Sequence, residues 1–300
     1  MFKKRFIQKE ITRLREKLNI LFELTKIRIT SFVALTTAFG FISAAGGINL
    51  NIILPVIGIL LLACGSAVIN HFQERKTDAL MDRTKKRPIP SGKVSPGNAL
   101  MIALILLAAG SVILFSGAGL LALALGLLNL LWYNGIYTPL KKVNALAIIP
   151  GSLVGAIPPA VGWVAAGGYI FDPQIIIISF FFFIWQIPHF WLLLLIFGND
   201  YKKAGFPTLT EIFNPDQLAH ITFIWIIATA VTSLLIPFFG VVKYAAVDYI
   251  IFAAGLWLAG NSFQLIKNTR KGSFAFAFRE INIFALIVVI LLSIDKIVAF

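Results

Sequence analysis

Charge is scarce in this chain. Only 13% of its 300 residues are Asp, Glu, Lys or Arg, while 59% are hydrophobic and the mean hydropathy is +0.89. A soluble domain carries about a quarter charged residues, so the composition excludes a soluble protein and predicts a multi-pass membrane protein. Cysteine is almost absent. The single Cys64 excludes a disulfide within the chain and, inside an apolar run, reads as a small buried residue. Acidic residues are few as well, 13 against 26 basic ones, for a net charge of +13. In a soluble protein that excess would suggest nucleic acid, but here its distribution excludes nucleic acid as a partner.

Nine apolar spans are predicted, at about 29–48, 52–71, 98–116, 118–137, 146–167, 174–197, 218–240, 244–262 and 280–299. Each is long enough to cross a hydrocarbon core of about 30 Å. All basic residues except Lys243 and Lys296 fall before span 1 or in the 2–3, 4–5, 6–7 and 8–9 connections, which lie on one side. That asymmetry predicts a cytoplasmic amino terminus in a cell (inner) membrane, with the lipid bilayer as a constant partner. The opposite connections are short turns such as Gly46-Gly47-Ile48-Asn49 and Ser116-Gly117-Ala118-Gly119. The expected fold is therefore all-α, a polytopic helical bundle of about nine transmembrane helices whose polar loops work on one face. Two segments are expected: 1–28, a basic amphipathic lead-in carrying Phe6, Ile7, Ile11, Leu14, Leu18, Leu21 and Phe22, and 29–300, one transmembrane domain.

The densest polar segment is Asn70–Gly92. Asn70, Glu74 and Asp78 follow one another at intervals of four. On a helix such residues drift only about 40° per step and share a face. Arg83, Lys85, Lys86 and Arg87 come next, and Pro88-Ile89-Pro90-Ser91-Gly92 ends the helix. Hard oxygens beside clustered cations are what a magnesium–diphosphate complex requires, since Mg²⁺ binds through one or two carboxylates plus phosphate oxygens. The plainer reading is a charged loop.

Further polar groups come later. Asp200 could share the metal at the end of span 6, with Tyr201 and with Lys202 and Lys203 toward phosphate. A capped helix end is the alternative. Tyr137 and Lys141 lie in a third cluster, Tyr133 to Lys142, where Lys141 can hold phosphate or simply mark topology. His189 sits inside span 6, either as a packing residue or as a contact for an aromatic acceptor or haem iron. His71 would point about 100° away from Asn70 and is read as structural. Phe180 to Phe183, Trp185, Phe190 and Trp191 could line a prenyl tunnel and stabilise an allylic cation, or could face lipid.

These blocks resemble the UbiA-type intramembrane prenyltransferases and, within them, the protohaem IX farnesyltransferase branch. Leu24-Thr25-Lys26-Ile27-Arg28-Ile29-Thr30 is similar to the family's entry into its first helix, with Ile27 where proline is usual. Asn70-x3-Glu74-x3-Asp78-x2-Met81-x-Arg83-Thr84-x2-Arg87-Pro88 is similar to its first aspartate-rich motif, with Glu74 in place of the commoner aspartate. Tyr137-Thr138-Pro139-Leu140-Lys141, Gly155-Ala156-Ile157-Pro158-Pro159, Pro188-His189-Phe190-Trp191 and Asp200-Tyr201-x-Lys203-Ala204-Gly205-x-Pro207 are similar to later blocks, the last favouring the haem branch over quinone-forming members. The resemblance implies transfer of a farnesyl group from farnesyl diphosphate to a vinyl group of protohaem IX, giving haem O. It implies Mg²⁺ on Asn70, Glu74, Asp78 and Asp200, with haem as substrate and no resident prosthetic group. Diphosphate would meet Arg83, Arg87, Lys141, Lys203, Tyr137 and Tyr201, and the acceptor His189 and Trp191. Downstream haem-modifying or oxidase-assembly proteins are implied partners. A quinone-precursor ring, 4-hydroxybenzoate or naphthoate, is the alternative acceptor. A transporter is disfavoured because the polar residues gather at one surface.

Overall fold

The computed structural model describes residues 2–267 and 271–298; the side chains of 2–7, 9 and 271 lie outside that description, and with them Phe6 and Ile7. The described residues form helices and no strand. The long helices are α1 (Phe2–Leu24), α2 (Ile27–Ala45), α3 (Ile53–Asp78), α4 (Pro96–Leu131), α5 (Leu153–Ala165), α6 (Pro173–Lys203), α7 (Pro215–Leu235), α8 (Ala245–Ser262) and α9 (Lys271–Ile297).

Eight stretches among the described residues are long and apolar enough to cross a membrane, and one of them, Pro96–Leu140, runs 45 residues. It is not one crossing. Gly119 breaks α4 at φ 76°, ψ −172°. A Cβ on Gly126 would lie 2.9 Å from Leu114 Cδ2, although a continuous helix separates residues twelve apart by about 18 Å. The chain doubles back at the predicted Ser116–Gly119 turn, and the ninth span is the returning arm of α4.

Close backbone approach sets the packing of the first half. A Cβ on Gly40 would fall 1.9 Å from the Pro159 carbonyl oxygen, and one on Gly162 would fall 1.8 Å from the Thr37 carbonyl oxygen. Helices α2 and α5 therefore cross with almost no side chain between them. Gly58 and Gly110 play the same part where α3 meets the outgoing arm of α4. In lipid, where no hydrophobic force drives helices together, such small-residue contacts supply the van der Waals packing. The second half packs around bulk instead, with Phe181, Phe182 and Ile178 of α6 against Ile281, Phe284 and Val288 of α9. Helix α8 matches the expected span 244–262 to within a residue, whereas α9 begins at Lys271, well before the expected start at 280, and the expected end at 299 lies outside the described residues.

Helix α1 is joined to α2 by Lys26, a non-glycine residue in the left-handed conformation (φ 50°, ψ 46°). Its apolar residues Ile11, Leu14, Leu18 and Phe22 are exposed, uncovered by the other described residues. At the other end of α3 the helix stops at Asp78, and turns containing Pro88 and Pro90 carry the chain to the Ser95 cap of α4.

The glycine crossing gives a direct test of the packing. Gly162→Leu is expected to destabilise the protein by about 1–3 kcal/mol, because overpacked contacts force backbone shifts. Thermal unfolding in detergent should show a lowered midpoint for Gly162→Leu and no comparable change for Gly97→Ala, where no atom lies near.

Candidate active site

One cavity of about 640 Å³ runs between α2, α3, the returning arm of α4, α5, α6 and α9. Asn70, Glu74 and Asp78 all line it, as their spacing on α3 predicts. Five cations line it too, Lys26, Arg28, Arg83, Arg87 and Lys141, against only two carboxylates, so its charged end favours an anion. Away from that end the walls become apolar, with Val33, Ile59, Leu62, Phe182 and Leu286.

Each oxygen group has a partner from another part of the chain. Both Asp78 carboxylate oxygens accept from Arg87 Nη1, at 2.8 and 2.7 Å. Glu74 ion-pairs with Lys141. Asn70 Oδ1 accepts from Lys26 Nζ at 2.6 Å, and Asn70 Nδ2 donates to Thr138 Oγ1 at 3.1 Å. Asp78 is wholly buried and Glu74 is 5% exposed, so an unpaired charge here would be costly. The segment that brings Lys141 into reach is a π-helical turn, Trp132–Tyr137. Its Asn134 locks it to α3, donating to the Ser66 carbonyl at 3.1 Å and accepting from Ser66 Oγ at 2.6 Å.

Electrostatics differ among the cations. Burial, reinforced by Arg87, lowers Lys26 from the ordinary lysine value to about 7. Burial works against the charge of Lys141 as well, but Glu74 outweighs it and holds Lys141 above the ordinary lysine range. At the rim, hydrogen bonds from Lys203 and Lys85 hold the Asp82 carboxyl below its usual range.

Of the residues predicted for the site, Asn70, Glu74, Asp78, Arg83, Arg87, Tyr137, Lys141, His189 and Tyr201 come together on the cavity wall. Three do not. Asp200 lies at the rim, where its Oδ2 accepts from the Arg83 backbone N–H at 3.2 Å. It fastens the 79–95 connection to α6 and does not line the cavity. Lys203 is exposed and paired with Asp82 at 2.5 Å, drawn outward by that carboxylate. Trp191 corrects the acceptor expectation, since it is two positions from His189 and lies on the far side of α6. There it is buried against Ile187, Leu209 and Leu218, edge-on to Trp225 at 6.1 Å. Of the predicted tunnel aromatics, Phe182, Trp185 and Phe190 line the cavity, Phe181 is core and Phe180 is exposed. His71 is buried and does not line the cavity.

Lys26, Arg28 and Tyr133, which lie in quoted sequence blocks but had no site role there, line the charged end, and Asn129, Gln186 and Asn282 line the cavity as well. A signal was present for Asn129 and Gln186, each an amide inside an apolar run where polar groups are costly unless used, whereas Asn282 follows Arg279 and Glu280 and carries none.

A bundle of helices that gathers oxygens and cations at the mouth of an apolar cavity defines an intramembrane enzyme for an amphiphile with an anionic head. Residues 33–285 match the UbiA prenyltransferase family, and the chain belongs to it. Its relatives include the protoheme IX farnesyltransferase of Oleidesulfovibrio alaskensis, 32% identical over 275 residues, 92% of this chain and 95% of that protein. The protoheme IX farnesyltransferase of Gloeobacter violaceus is 32% identical over 98% of this chain and 97% of its own length. Among solved structures, a digeranylgeranylglyceryl phosphate synthase superposes with TM-score 0.76 at 18% identity, covering 94% of this chain and 99% of that one. A UbiA homologue from Archaeoglobus fulgidus bound to GPP and Mg²⁺ superposes with TM-score 0.63 at 14% identity, covering 91% and 99%. These likenesses establish the fold.

Lys26 provides a pH test. With a value of about 7, its amine is largely neutral at a pH near 8. A diphosphate in the cavity adds negative charge and raises that value, so binding takes up a proton. Calorimetry of diphosphate binding in buffers of differing ionisation enthalpy should show uptake near pH 8 that fades below about pH 6, where Lys26 is already charged. Lys26→Met should remove it.

Proposed function

We propose that this chain transfers a farnesyl group from farnesyl diphosphate to a vinyl group of protohaem IX, with addition of water, giving haem O and diphosphate. One observation carries the prenyl-diphosphate half: Asn70, Glu74 and Asp78 open with Arg83, Arg87 and Lys141 into one cavity that continues into an apolar, aromatic-walled interior. The names of the full-length relatives support the haem acceptor.

The donor set fits a hard divalent cation, with an amide and two carboxylates on one helix face and cations behind them. Asn70, Glu74 and Asp78 would hold Mg²⁺, while Asp200 stays at the rim on the Arg83 backbone. When bound, the ion neutralises and polarises the leaving diphosphate. Arg87 and Lys141, which pair with Asp78 and Glu74, are placed to exchange those carboxylates for phosphate oxygens and to stabilise the charge that develops as the C–O bond breaks. Arg83, stacked over the Phe197 ring at 5.1 Å, is held beside them, and Tyr137 and Tyr201 supply hydroxyls. Because diphosphate departs as an anion, no protein nucleophile is needed. Phe182, Trp185 and Phe190 exclude bulk water and face the allylic cation. The one-sided distribution of basic residues supports a reading in which these loops face the cytoplasm from the cell membrane and α1 lies along the lipid surface.

The test is direct. The detergent-purified protein, given Mg²⁺ and farnesyl diphosphate, should convert haem and leave 4-hydroxybenzoate unchanged, read by mass analysis. Prenylation of the benzoate alone contradicts the haem assignment. Asp78→Ala should cut turnover by at least about a hundredfold while the protein stays inserted. Substantial activity in that variant rejects the ligand assignment. Lys141→Ala should raise the KM for farnesyl diphosphate more than that for haem, and a selective haem defect contradicts its placement.

A further inference from the structure

Below the charged mouth the cavity wall carries a small set of neutral hydrogen-bonding groups that diphosphate release does not use. Gln186 and His189 are three apart on α6 and share its cavity face, and Asn282 of α9 lines the same space. Gln186 is 8% exposed, and its side chain makes no hydrogen bond to the described residues. Its amide has room only because position 155 is glycine, where a Cβ would sit 1.7 Å from Gln186 Oε1. A buried amide without a protein partner marks a place for a polar guest.

The polarity of the neighbouring bonds fixes what His189 offers. Asn282 Nδ2 donates to the Phe278 carbonyl at 2.5 Å, which leaves Asn282 Oδ1 as an acceptor. That oxygen stands 2.7 Å from His189 Nδ1, so Nδ1 carries the proton and donates. Nε2 is then an unprotonated acceptor. Trp185 and Phe278 lie against the imidazole, each with ring centroids 4.9 Å away, so a guest reaches the ring along its edge.

The reaction read for this protein needs one polar guest at this depth. Haem O carries a hydroxyl where the vinyl group was, and water is the reactant that supplies it. We propose that Gln186 and His189 hold and activate this water, with Asn282 as the positioning residue that fixes the histidine tautomer. The inference rests on the haem-farnesylation reading. As the C1–O bond breaks, its electron pair leaves with diphosphate. The vinyl π pair forms the new bond to C1, and positive charge appears on the vinyl carbon next to the porphyrin ring. Water bound to Gln186 adds its oxygen lone pair to that carbon, and His189 Nε2 takes the proton released. Without a placed water, the same cation instead loses a proton from the new methylene and gives an alkene.

The experiment reads product partition. The full chain in detergent is given Mg²⁺, farnesyl diphosphate and haem, and the farnesylated haems are separated by mass into hydrated product and alkene. Gln186→Leu and His189→Phe should raise the alkene-to-hydrated ratio by about tenfold or more. Asn282→Leu should shift it the same way, and Asn282→Asp, which keeps the acceptor, should restore it. Gly155→Ala removes neither group but displaces the Gln186 amide, and should also raise the ratio. Fully hydrated product in all four damaging variants overturns the proposal. So does the loss of all farnesylated haem in variants that remain inserted, because a residue acting after C–C bond formation cannot be required for it. A changed absorption spectrum of bound haem in His189→Phe with unchanged hydration places Nε2 on iron and overturns it too. Failure of the unmutated protein to farnesylate haem overturns the haem reading instead.

Discussion

A carboxylate buried among membrane helices must meet a counter-charge, and this constraint organises the polar end of the bundle. Asp78 and Glu74 sit on α3 with almost no exposure. Neither finds its partner on its own helix. Arg87 comes from the turn-rich connection after α3, and Lys141 from the segment beyond the π-helical turn. Removing one member of such a pair leaves a buried charge uncompensated, at a cost of about 3–5 kcal/mol. The pairs thus shape loops that would otherwise be free to wander, and Asp200 adds a further tie to α6. Lys26 shows the same constraint from the other side: half-buried, with its amine at the cavity near Arg87 and Lys141, it is lowered toward neutrality and satisfied by the Asn70 amide oxygen.

On the proposed reading, pairs of this kind would serve binding as well as folding. They are matched to each other only while no stronger ligand is present, and the cavity wall holds five cations for two carboxylates. An anionic headgroup with a divalent cation offers both halves of each pair a new partner, so the charges are placed before substrate arrives and need no large rearrangement. The apolar interior follows from different contacts. Glycine crossings draw α2 against α5, while bulky aromatic packing holds α6 against α9, and the cavity lies between these two halves. Its floor carries amides where its walls are oil, which on the proposed reading would separate departure of diphosphate at the mouth from the chemistry of the acceptor below.

Much of this was legible in the chain. Long apolar runs required spans, and the four-residue interval of Asn70, Glu74 and Asp78 required a shared face. Even the turn in the longest apolar stretch could be read from Gly117 and Gly119. The errors have physical causes. Asp200 and Lys203 lie close in sequence to cavity residues, but Arg83 and Asp82 claim them at the rim, and such pairing cannot be read from spacing. Trp191 belongs to the His189 motif yet faces the other side of α6, a matter of helical phase. Lys26 escaped because its left-handed backbone turns it into the cavity, which the amphipathic pattern around it hides. Asn282 lies far along the chain from every motif and meets His189 only through the packing of α9 on α6.

The central claim is that the α3 oxygens grip an isoprenoid diphosphate through a divalent cation. Equilibrium binding of a non-cleavable farnesyl diphosphate analogue, with Mg²⁺ and after chelation by EDTA, tests it most directly. The account predicts tight binding with Mg²⁺ and at least about a hundredfold weaker binding without it, a loss on the scale of charge-assisted contacts. Equal affinity under both conditions would contradict it.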